Sequence, residues 1–120
     1  MVKVIALLKK REGMSVGDFI AYYENFHYPL GMRLFPEMKR HIRNYCTGEA
    51  GRATGALGAV DCITEVYFDT VEDRDTMFRR MAEDPELERE LSADEERLFD
   101  RSAIRVLFVE ESEVELPTIK

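Results

Sequence analysis

Four stretches of the chain have the composition or alternation of β-strands, and two longer segments between them have helical spacing. The strands are predicted at residues 2–9, 40–49, 61–69 and 103–111. All but the second are rich in β-branched and aliphatic residues, whereas the second alternates polar and apolar types.

The first helical segment begins after a turn at residues 11–14. Ser15 is a good N-cap, and Asp18 stands three residues later, so a helix is expected from Val16. Pro29 interrupts the apolar stripe of this segment. Because proline lacks a backbone N–H, we expect it to kink or divide the helix.

The second helical segment begins after Thr70, with Asp73 three residues later. Asp84 and Pro85 should end it, and a short helical stretch is expected to follow as far as Leu98. The resulting order is β-α-β-β-α-β. With right-handed crossovers, this order predicts an α+β fold of the ferredoxin-like type, with both helices on one face of an antiparallel four-stranded sheet.

The strands carry apolar residues on both faces, whereas the strands of a sheet with one solvent-exposed face alternate apolar and polar residues. In the last strand, for example, Val106 and Phe108 oppose Leu107 and Val109. A second copy packed on the open face would bury this surface. We therefore expect a homodimer through the sheet faces, a closed dimeric α+β barrel, in which the tail could reach the partner.

The length of 120 residues suits one domain, assigned to residues 1–111, with a C-terminal tail at 112–120. The net charge of −7 argues against nucleic-acid binding. No segment resembles a signal peptide or a membrane span, so a cytoplasmic location is expected. Cys46 and Cys62 then fit free buried thiols better than a disulfide or a reactive thiol. The Gly/Ala-rich loop at 51–59 is either functional or a simple connector.

Tyr23 and His27 are four residues apart and should share a helix face. A histidine that titrates near neutrality beside a phenol is a plausible general acid/base pair. The alternative is a structural role, in which His27 bonds a carbonyl or caps the helix before Pro29.

The second strand carries a polar stripe of His41, Arg43 and Tyr45 on one face. Such a stripe fits a pocket that orients a polar or phenolic ligand, and Tyr67 on the third strand is a candidate to extend it. An exposed edge strand would explain the stripe equally well. Asp100 is a candidate carboxylate partner, although capping a turn is the simpler explanation.

Nine acids cluster around the second helix and its exit, and most are expected to form a solvated face: Glu83, Asp84, Glu86, Glu88, Glu90, Asp94, Glu95, Glu96 and Asp100. The chain has no metal-ligand spacing, no phosphate-binding glycine loop and no nucleophile motif. We therefore expect catalysis, if any, without metal or cofactor.

The sequence resembles the EthD-domain family of the dimeric α+β barrel superfamily. The likeness starts at LLKKREGMS, residues 7–15, and continues through Phe19, Tyr22 and His27-Tyr28-Pro29-Leu30 to Tyr45. It ends at RLFDRS, residues 97–102, and RVLFVEE, residues 105–111. The family often carries Trp where this chain has Tyr23.

The resemblance implies a ferredoxin-like homodimer with a pocket between sheet and helices in each subunit. It also implies functional roles for the histidine and aspartate that match His27 and Asp100. The first hypothesis is an enzyme of cyclase, dehydratase, isomerase or decarboxylase type that acts on a small aromatic or polyketide-like compound. In it His27 is the base, Tyr23 and Tyr45 orient or donate, and Arg43 stabilises an enolate or phenolate. The alternatives are a cofactor-free monooxygenase acting on a phenol and a non-catalytic metabolite-binding protein.

Overall fold

The computed structural model describes residues 1–47 and 60–119, and the predicted loop at 51–59 lies outside these residues. Its centre is an antiparallel sheet of four strands in the order β2-β3-β1-β4. The strands are β1 (Val2–Leu8), β2 (Arg40–Tyr45), β3 (Cys62–Phe68) and β4 (Arg105–Val109). The α+β, ferredoxin-like prediction is confirmed.

Pro29 does not divide the first helical segment, whose three parts follow one another without a break and with helical backbone angles at each junction. The segment consists of α1 (Val16–Tyr22), a π-helical turn (Tyr23–His27) and α2 (Tyr28–Leu34). The Ser15 hydroxyl accepts the Asp18 N–H at 3.0 Å and so starts α1. Pro29 falls in the first turn of α2, where its missing N–H costs little.

The second helical segment forms α3 (Val71–Glu83) and α4 (Pro85–Leu98). Thr70 caps α3 and Asp84 caps α4, each by accepting backbone N–H groups from the first turn. The helix after Asp84 runs for 14 residues and ends at Leu98, where the sequence predicted its end. Its length matters because it carries an acid that the functional site uses.

All four helices pack on the face of the sheet that Val4 and Leu8 present. Two groups of buried side chains fill this layer. The first lies under α2, α3 and α4 and the second under α1 and the π-turn. The first group contains Val4, Phe35, Val66, Phe68, Met77, Leu87 and Leu91. The second group contains Leu8, Phe19, Tyr23, Cys62, Leu98 and Phe99.

The strand register decides which side chains reach this layer. His41, Arg43 and Tyr45 pair with Val66, Thr64 and Cys62, so the polar stripe points toward the helices. Tyr67 pairs with Arg40 and Lys3 and therefore lies on the opposite, open face. The expectation that Tyr67 extends the pocket was wrong, because neighbouring residues along a strand point to opposite faces.

The open face is less apolar than the alternation suggested. Lys3 and Glu65 form an ion pair in the middle of it at 2.5 Å. Aliphatic side chains surround this pair: Ile5, Leu7, Ile42, Ile63, Leu107 and Val109.

Strands β2, β3 and β4 are shorter than predicted. β2 ends at Tyr45, and Arg101–Ala103 is a 3-10 turn ahead of β4. Residues 110–119 form neither helix nor strand. Within residues 1–47 and 60–119, no helix is long and apolar enough to cross a membrane.

Phe19 anchors the second core group with none of its surface exposed, whereas Phe26 on the same helical segment is 59% exposed. We expect Phe19→Ala to lower the free energy of unfolding by about 3–5 kcal/mol, because it empties a packed site. Phe26→Ala should cost about 1 kcal/mol or less. Urea unfolding of both variants at one protein concentration measures this, and equal losses would contradict the packing described.

Candidate functional site

The π-helical turn places two aromatic rings against the sheet. Tyr23 and His27 bound the turn, and Tyr28 donates its N–H to the Tyr23 carbonyl, the five-residue step of a π-helix. The Tyr23 and His27 rings meet edge to face with centroids 5.2 Å apart. The expected shared face is therefore present. Phe99 contacts both rings, with its centroid 5.1 Å from that of His27 and 5.7 Å from that of Tyr23.

His27 forms a buried pair with a carboxylate on α4. Its Nδ1 lies 2.8 Å from Asp94 Oδ2, and the two side chains are 13% and 9% exposed. The Tyr22 hydroxyl donates to Asp94 Oδ1 at 2.6 Å. Since an ionised carboxylate only accepts hydrogen bonds, Nδ1 of His27 carries the proton and Nε2 holds the lone pair.

Asp94 was expected to belong to the solvated acidic face, and that expectation was wrong. It lies in the buried stripe of α4 with Leu87, Leu91 and Leu98, at steps of four, three and four residues. This spacing was visible in the sequence. An acid that occupies a position in an apolar stripe needs a buried partner, and that signal could have singled out Asp94.

A second imidazole stands close to the first with the opposite tautomer. Arg43 Nη1 lies 2.9 Å from His41 Nδ1. Because a guanidinium only donates, Nδ1 of His41 accepts, and the proton of the neutral ring is on Nε2. The His41 ring faces Tyr23 and Tyr28, at 6.3 and 6.0 Å between centroids.

The surroundings keep both rings neutral. Burial lowers the pKa of His27, and the Asp94 carboxylate offsets only part of this effect. Burial, with the nearby Arg43 and His27, lowers the pKa of His41 to about 4. At neutral pH the site thus contains one acceptor nitrogen, His27 Nε2, and one donor nitrogen, His41 Nε2.

The two Nε2 atoms have no hydrogen-bond partner among the described residues. Within residues 1–47 and 60–119, neither makes a hydrogen bond, and neither is among the fully buried polar atoms that lack a partner. A free acceptor and a free donor beside one another can take a proton from a substrate and hold the resulting oxyanion.

Glu24 organises the rest of the stripe, and sequence reasoning missed it. It receives hydrogen bonds from Arg43 Nε and from the Tyr45 hydroxyl, both at 2.5 Å. Burial acts to raise the pKa of Glu24, but these two bonds outweigh it and hold the pKa below the usual range. Arg43 also lies 4.1 Å above the Tyr28 ring. The guanidinium is thus already paired, which limits its role toward an enolate.

The two phenols of the site stay protonated. The Tyr23 hydroxyl shares a 2.6 Å hydrogen bond with Thr64 Oγ1. Burial raises the pKa of Tyr23, and burial together with the Glu24 carboxylate raises that of Tyr45. Neither phenol can act as a base near neutrality, which leaves His27 Nε2 as the candidate base.

The structure does not bring Asp100 or Tyr67 to the His27–Asp94 pair. The Asp100 carboxylate accepts the Ser102 hydroxyl at 2.6 Å and the Ser102 N–H at 3.1 Å, and so caps the 3-10 turn. It lies 3.9 Å from Lys9. Tyr67 donates to Glu111 at 3.0 Å on the open face. Asp94, not Asp100, is the carboxylate that contacts His27.

An open groove of about 510 Å³ lies between the first helical segment and α4 and borders the His27–Asp94 pair. Asp94 and Tyr22 are among its walls, but His27 is not. The remaining lining residues are Asn25, Phe26, Pro29, Leu30, Arg33, Glu90 and Arg97. In the described part of the chain, no three His, Cys, Asp or Glu side chains cluster in a way that could hold a metal ion.

The electrostatics of the dyad can be tested by removing the charge of Asp94. Asp94→Asn keeps an oxygen that accepts the Nδ1 proton, but it removes the anion that raises the pKa of His27. We expect the pKa of His27 to fall further below 6.5, as followed by NMR titration of the imidazole. Glu96→Gln, at an exposed acid on the same helix, is the matched control. An unchanged or raised His27 pKa in Asp94→Asn would contradict the pairing.

The two histidines also predict how stability depends on pH. Both pKa values lie below the unfolded value of 6.5, so the unfolded chain binds more protons as the pH falls below 6.5, and for His41 this range extends to about pH 4. The free energy of unfolding should therefore fall as the pH falls, by up to about 1.4 kcal/mol per pH unit for each histidine. Denaturant unfolding at pH 7 and pH 5 measures this. His41→Gln should show a shallower slope than the wild type, and an equal slope would contradict the assignment.

Comparison with known proteins places this site in a family. The EthD domain matches residues 11–102, which contain Tyr23, His27, the β2 stripe and Asp94. No curated protein matches the chain.

Several solved structures share the fold. An EthD family protein from Bacillus halodurans is 22% identical, with a TM-score of 0.64 over 93% of this chain and 99% of that one. An EthD-like protein from Ralstonia eutropha is 20% identical, with a TM-score of 0.56 over 92% and 95%. A dimeric, ferredoxin-like protein of unknown function from Bacteroides fragilis is 13% identical, with a TM-score of 0.57 over 92% and 95%. The domain match covers most of the length, and the chain belongs to the EthD-domain family.

Proposed function

We propose that the chain is an enzyme that performs cofactor-independent acid/base chemistry on a small aromatic or polyketide-like compound. The observation that carries this proposal is the pair of free Nε2 atoms with opposite character, on His27 and His41. A cyclase, dehydratase, isomerase or decarboxylase of this type needs such a pair, because proton removal beside a carbonyl creates an oxyanion.

His27 is the general base in this proposal. Its Nε2 removes a proton from a carbon or a phenol of the substrate, and the ring becomes an imidazolium. Asp94 stabilises that cation through the Nδ1–H bond and fixes the tautomer before reaction. Tyr22 holds the carboxylate in place from the other side. The proton then returns from Nε2 to the product or to the leaving group.

His41 supplies the complementary group. Its Nε2–H donates to the substrate oxygen on which negative charge develops, as neutral imidazoles can in a buried site. Arg43 fixes the tautomer of His41 and adds positive charge nearby. Tyr23 and Tyr45 line the proposed substrate site and stay protonated, so they orient the substrate without releasing a proton.

The proposal includes a homodimer through the open sheet faces. The aliphatic side chains of that face, named above, surround the Lys3–Glu65 pair on a surface that helices leave uncovered. Packing two such faces would bury them together and allow the ion pairs to be shared. The Bacteroides fragilis protein of similar fold is described as dimeric, which supports a dimer here.

Activity can be tested before the natural substrate is known. The probe is a panel of aryl β-keto and phenolic compounds in D₂O, with ¹H NMR to follow exchange of acidic carbon-bound protons and an electrode to follow oxygen uptake. We expect exchange faster than in buffer for at least one compound. His27→Gln should lower that rate about 10²–10⁴-fold, since it removes the base.

Asp18→Ala, an exposed change in α1 outside the groove, is the matched control and should keep the wild-type rate. Equal exchange rates in His27→Gln and the wild type would refute the role of His27. Binding of probes without exchange in any variant would favour a metabolite-binding protein. Oxygen uptake that accompanies turnover would favour the monooxygenase. Crystals soaked with the same panel would show whether the bound oxygen lies near His41 Nε2.

A further inference from the structure

We propose that Glu24 sets the charge of the ligand. By neutralising Arg43, it makes the site accept an uncharged carbonyl compound, such as an ester, lactone or ketone, and reject a free carboxylate. This substrate class rests on the proposed function and narrows it. Decarboxylation of a free acid would leave the reaction types considered, and the cyclase, dehydratase and isomerase types would remain.

The Glu24–Arg43 pair is held through both groups. Arg43 Nε donates to Glu24 Oε2 at 2.5 Å, and Arg43 Nη2 donates to Glu24 Oε1 at 3.4 Å, so the carboxylate occupies one whole edge of the guanidinium. The Tyr45 hydroxyl adds a bond of 2.5 Å to Oε2. Burial raises the pKa of Glu24, but the bonds from Arg43 and Tyr45 lower it by more, and the carboxylate is ionised at neutral pH.

The remaining sides of Arg43 are occupied as well. Its Nη1 lies 2.9 Å from His41 Nδ1 and donates to the His41 carbonyl at 3.2 Å, and its face lies 4.1 Å above the Tyr28 ring. The Arg43 side chain is only 17% exposed, whereas that of Glu24 is 40% exposed. A ligand carboxylate would therefore have to displace Glu24 to reach the guanidinium.

The two charges oppose each other at the donor imidazole. Burial lowers the pKa of His41 most, Arg43 lowers it further, and Glu24 acts in the opposite direction. Because the guanidinium contacts His41 Nδ1, only one ring separates it from the Nε2–H group that faces the ligand. The site thus offers a neutral donor, which suits a carbonyl oxygen.

The charge on the far side of His27 is also unfavourable to an anion. The Asp94 carboxylate lies there, 2.8 Å from His27 Nδ1 and 9% exposed. Arg97 approaches Asp94 to 3.7 Å, but its side chain is 65% exposed, so solvent screens its charge. The chain as a whole carries a net charge of −7, which adds long-range repulsion.

The proposed reaction itself needs no free cation. When His27 Nε2 takes a proton from a carbon beside the carbonyl, the electron pair of the broken C–H bond moves to the carbonyl oxygen. An oxyanion and an imidazolium then form in the same step, and the total charge of the site is unchanged. A carboxylate brings a charge of its own for which the site holds no counter-ion. The arrangement therefore suits a substrate that is neutral until it reacts.

Two probes of nearly the same shape and different charge test this inference: meta-hydroxybenzamide and meta-hydroxybenzoate. Each is titrated at pH 7 into the untagged full-length chain, whose two histidines, His27 and His41, report binding through their imidazole ¹H NMR signals. We expect the wild type to bind the amide about tenfold more tightly than the carboxylate. Glu24→Gln should bind the carboxylate about tenfold more tightly than the wild type does and keep the affinity for the amide within about twofold.

Two further variants separate the Arg43 pair from a general effect of charge. Asp18→Asn removes the same charge from an exposed position in α1 and should match the wild type with both probes. Glu24→Gln with Arg43→Gln removes both charges and should return the carboxylate affinity to the wild-type value, because no unpaired cation remains. A gain that persists in this double variant, or that Asp18→Asn reproduces, would overturn the inference.

The wild-type comparison needs no variant and decides the matter even if Glu24→Gln does not fold. A wild type that binds the carboxylate as tightly as the amide overturns the inference, and so does a folded Glu24→Gln variant with no gain for the carboxylate. Both results are equilibrium affinities, whereas the deuterium-exchange comparison of His27→Gln judges the enzyme proposal. Discrimination by charge without any exchange would leave the ligand class standing and refute the enzyme.

Discussion

The site depends on one buried carboxylate. Asp94 is 9% exposed in its side chain, and an unpaired charge so placed would be costly. Two donors from the first helical segment, His27 and Tyr22, remove that cost. The same two bonds fix the position of α4 against the π-turn and set the tautomer of His27. Structural stability and the chemistry of the site therefore rest on the same contacts.

The π-turn is the backbone counterpart of this constraint. Widening one turn shifts every residue that follows around the helix axis, so the faces before and after the turn are no longer aligned by the ordinary four-residue step. Here Tyr22 reaches Asp94 while Tyr23 points into the sheet layer toward Thr64. Pro29, immediately beyond, needs no N–H acceptor. Tyr22 and Tyr23 stand before this shift and, as consecutive residues on a helix, point in different directions, so they serve two different layers of the protein.

The order of the elements and the fold could be predicted, because strand composition, caps at Ser15 and Thr70, and Pro85 are local signals. The approach of Tyr23 to His27 was also local. The carboxylate partner was not, since His27 and Asp94 are 67 residues apart and only the packing of α4 joins them. Asp100 stood beside a recognisable sequence ending, which favoured it over Asp94. Tyr67 was assigned to the wrong face of the sheet, because the pairing of β3 with its neighbours cannot be read from the β3 sequence alone. Glu24 was overlooked because its partners, Arg43 and Tyr45, are on β2.

The opposite tautomers of the two histidines have a common origin in their neighbours. A carboxylate accepts and a guanidinium donates, so Asp94 and Arg43 impose opposite proton positions on chemically identical rings. Burial then keeps both rings neutral, so neither arrangement is lost by protonation near pH 7. Exchanging the roles of the rings would require exchanging their partners. In the proposed reaction this arrangement sets a direction: the proton would leave the substrate toward His27 on the helix side, and negative charge would be held by His41 on the sheet side.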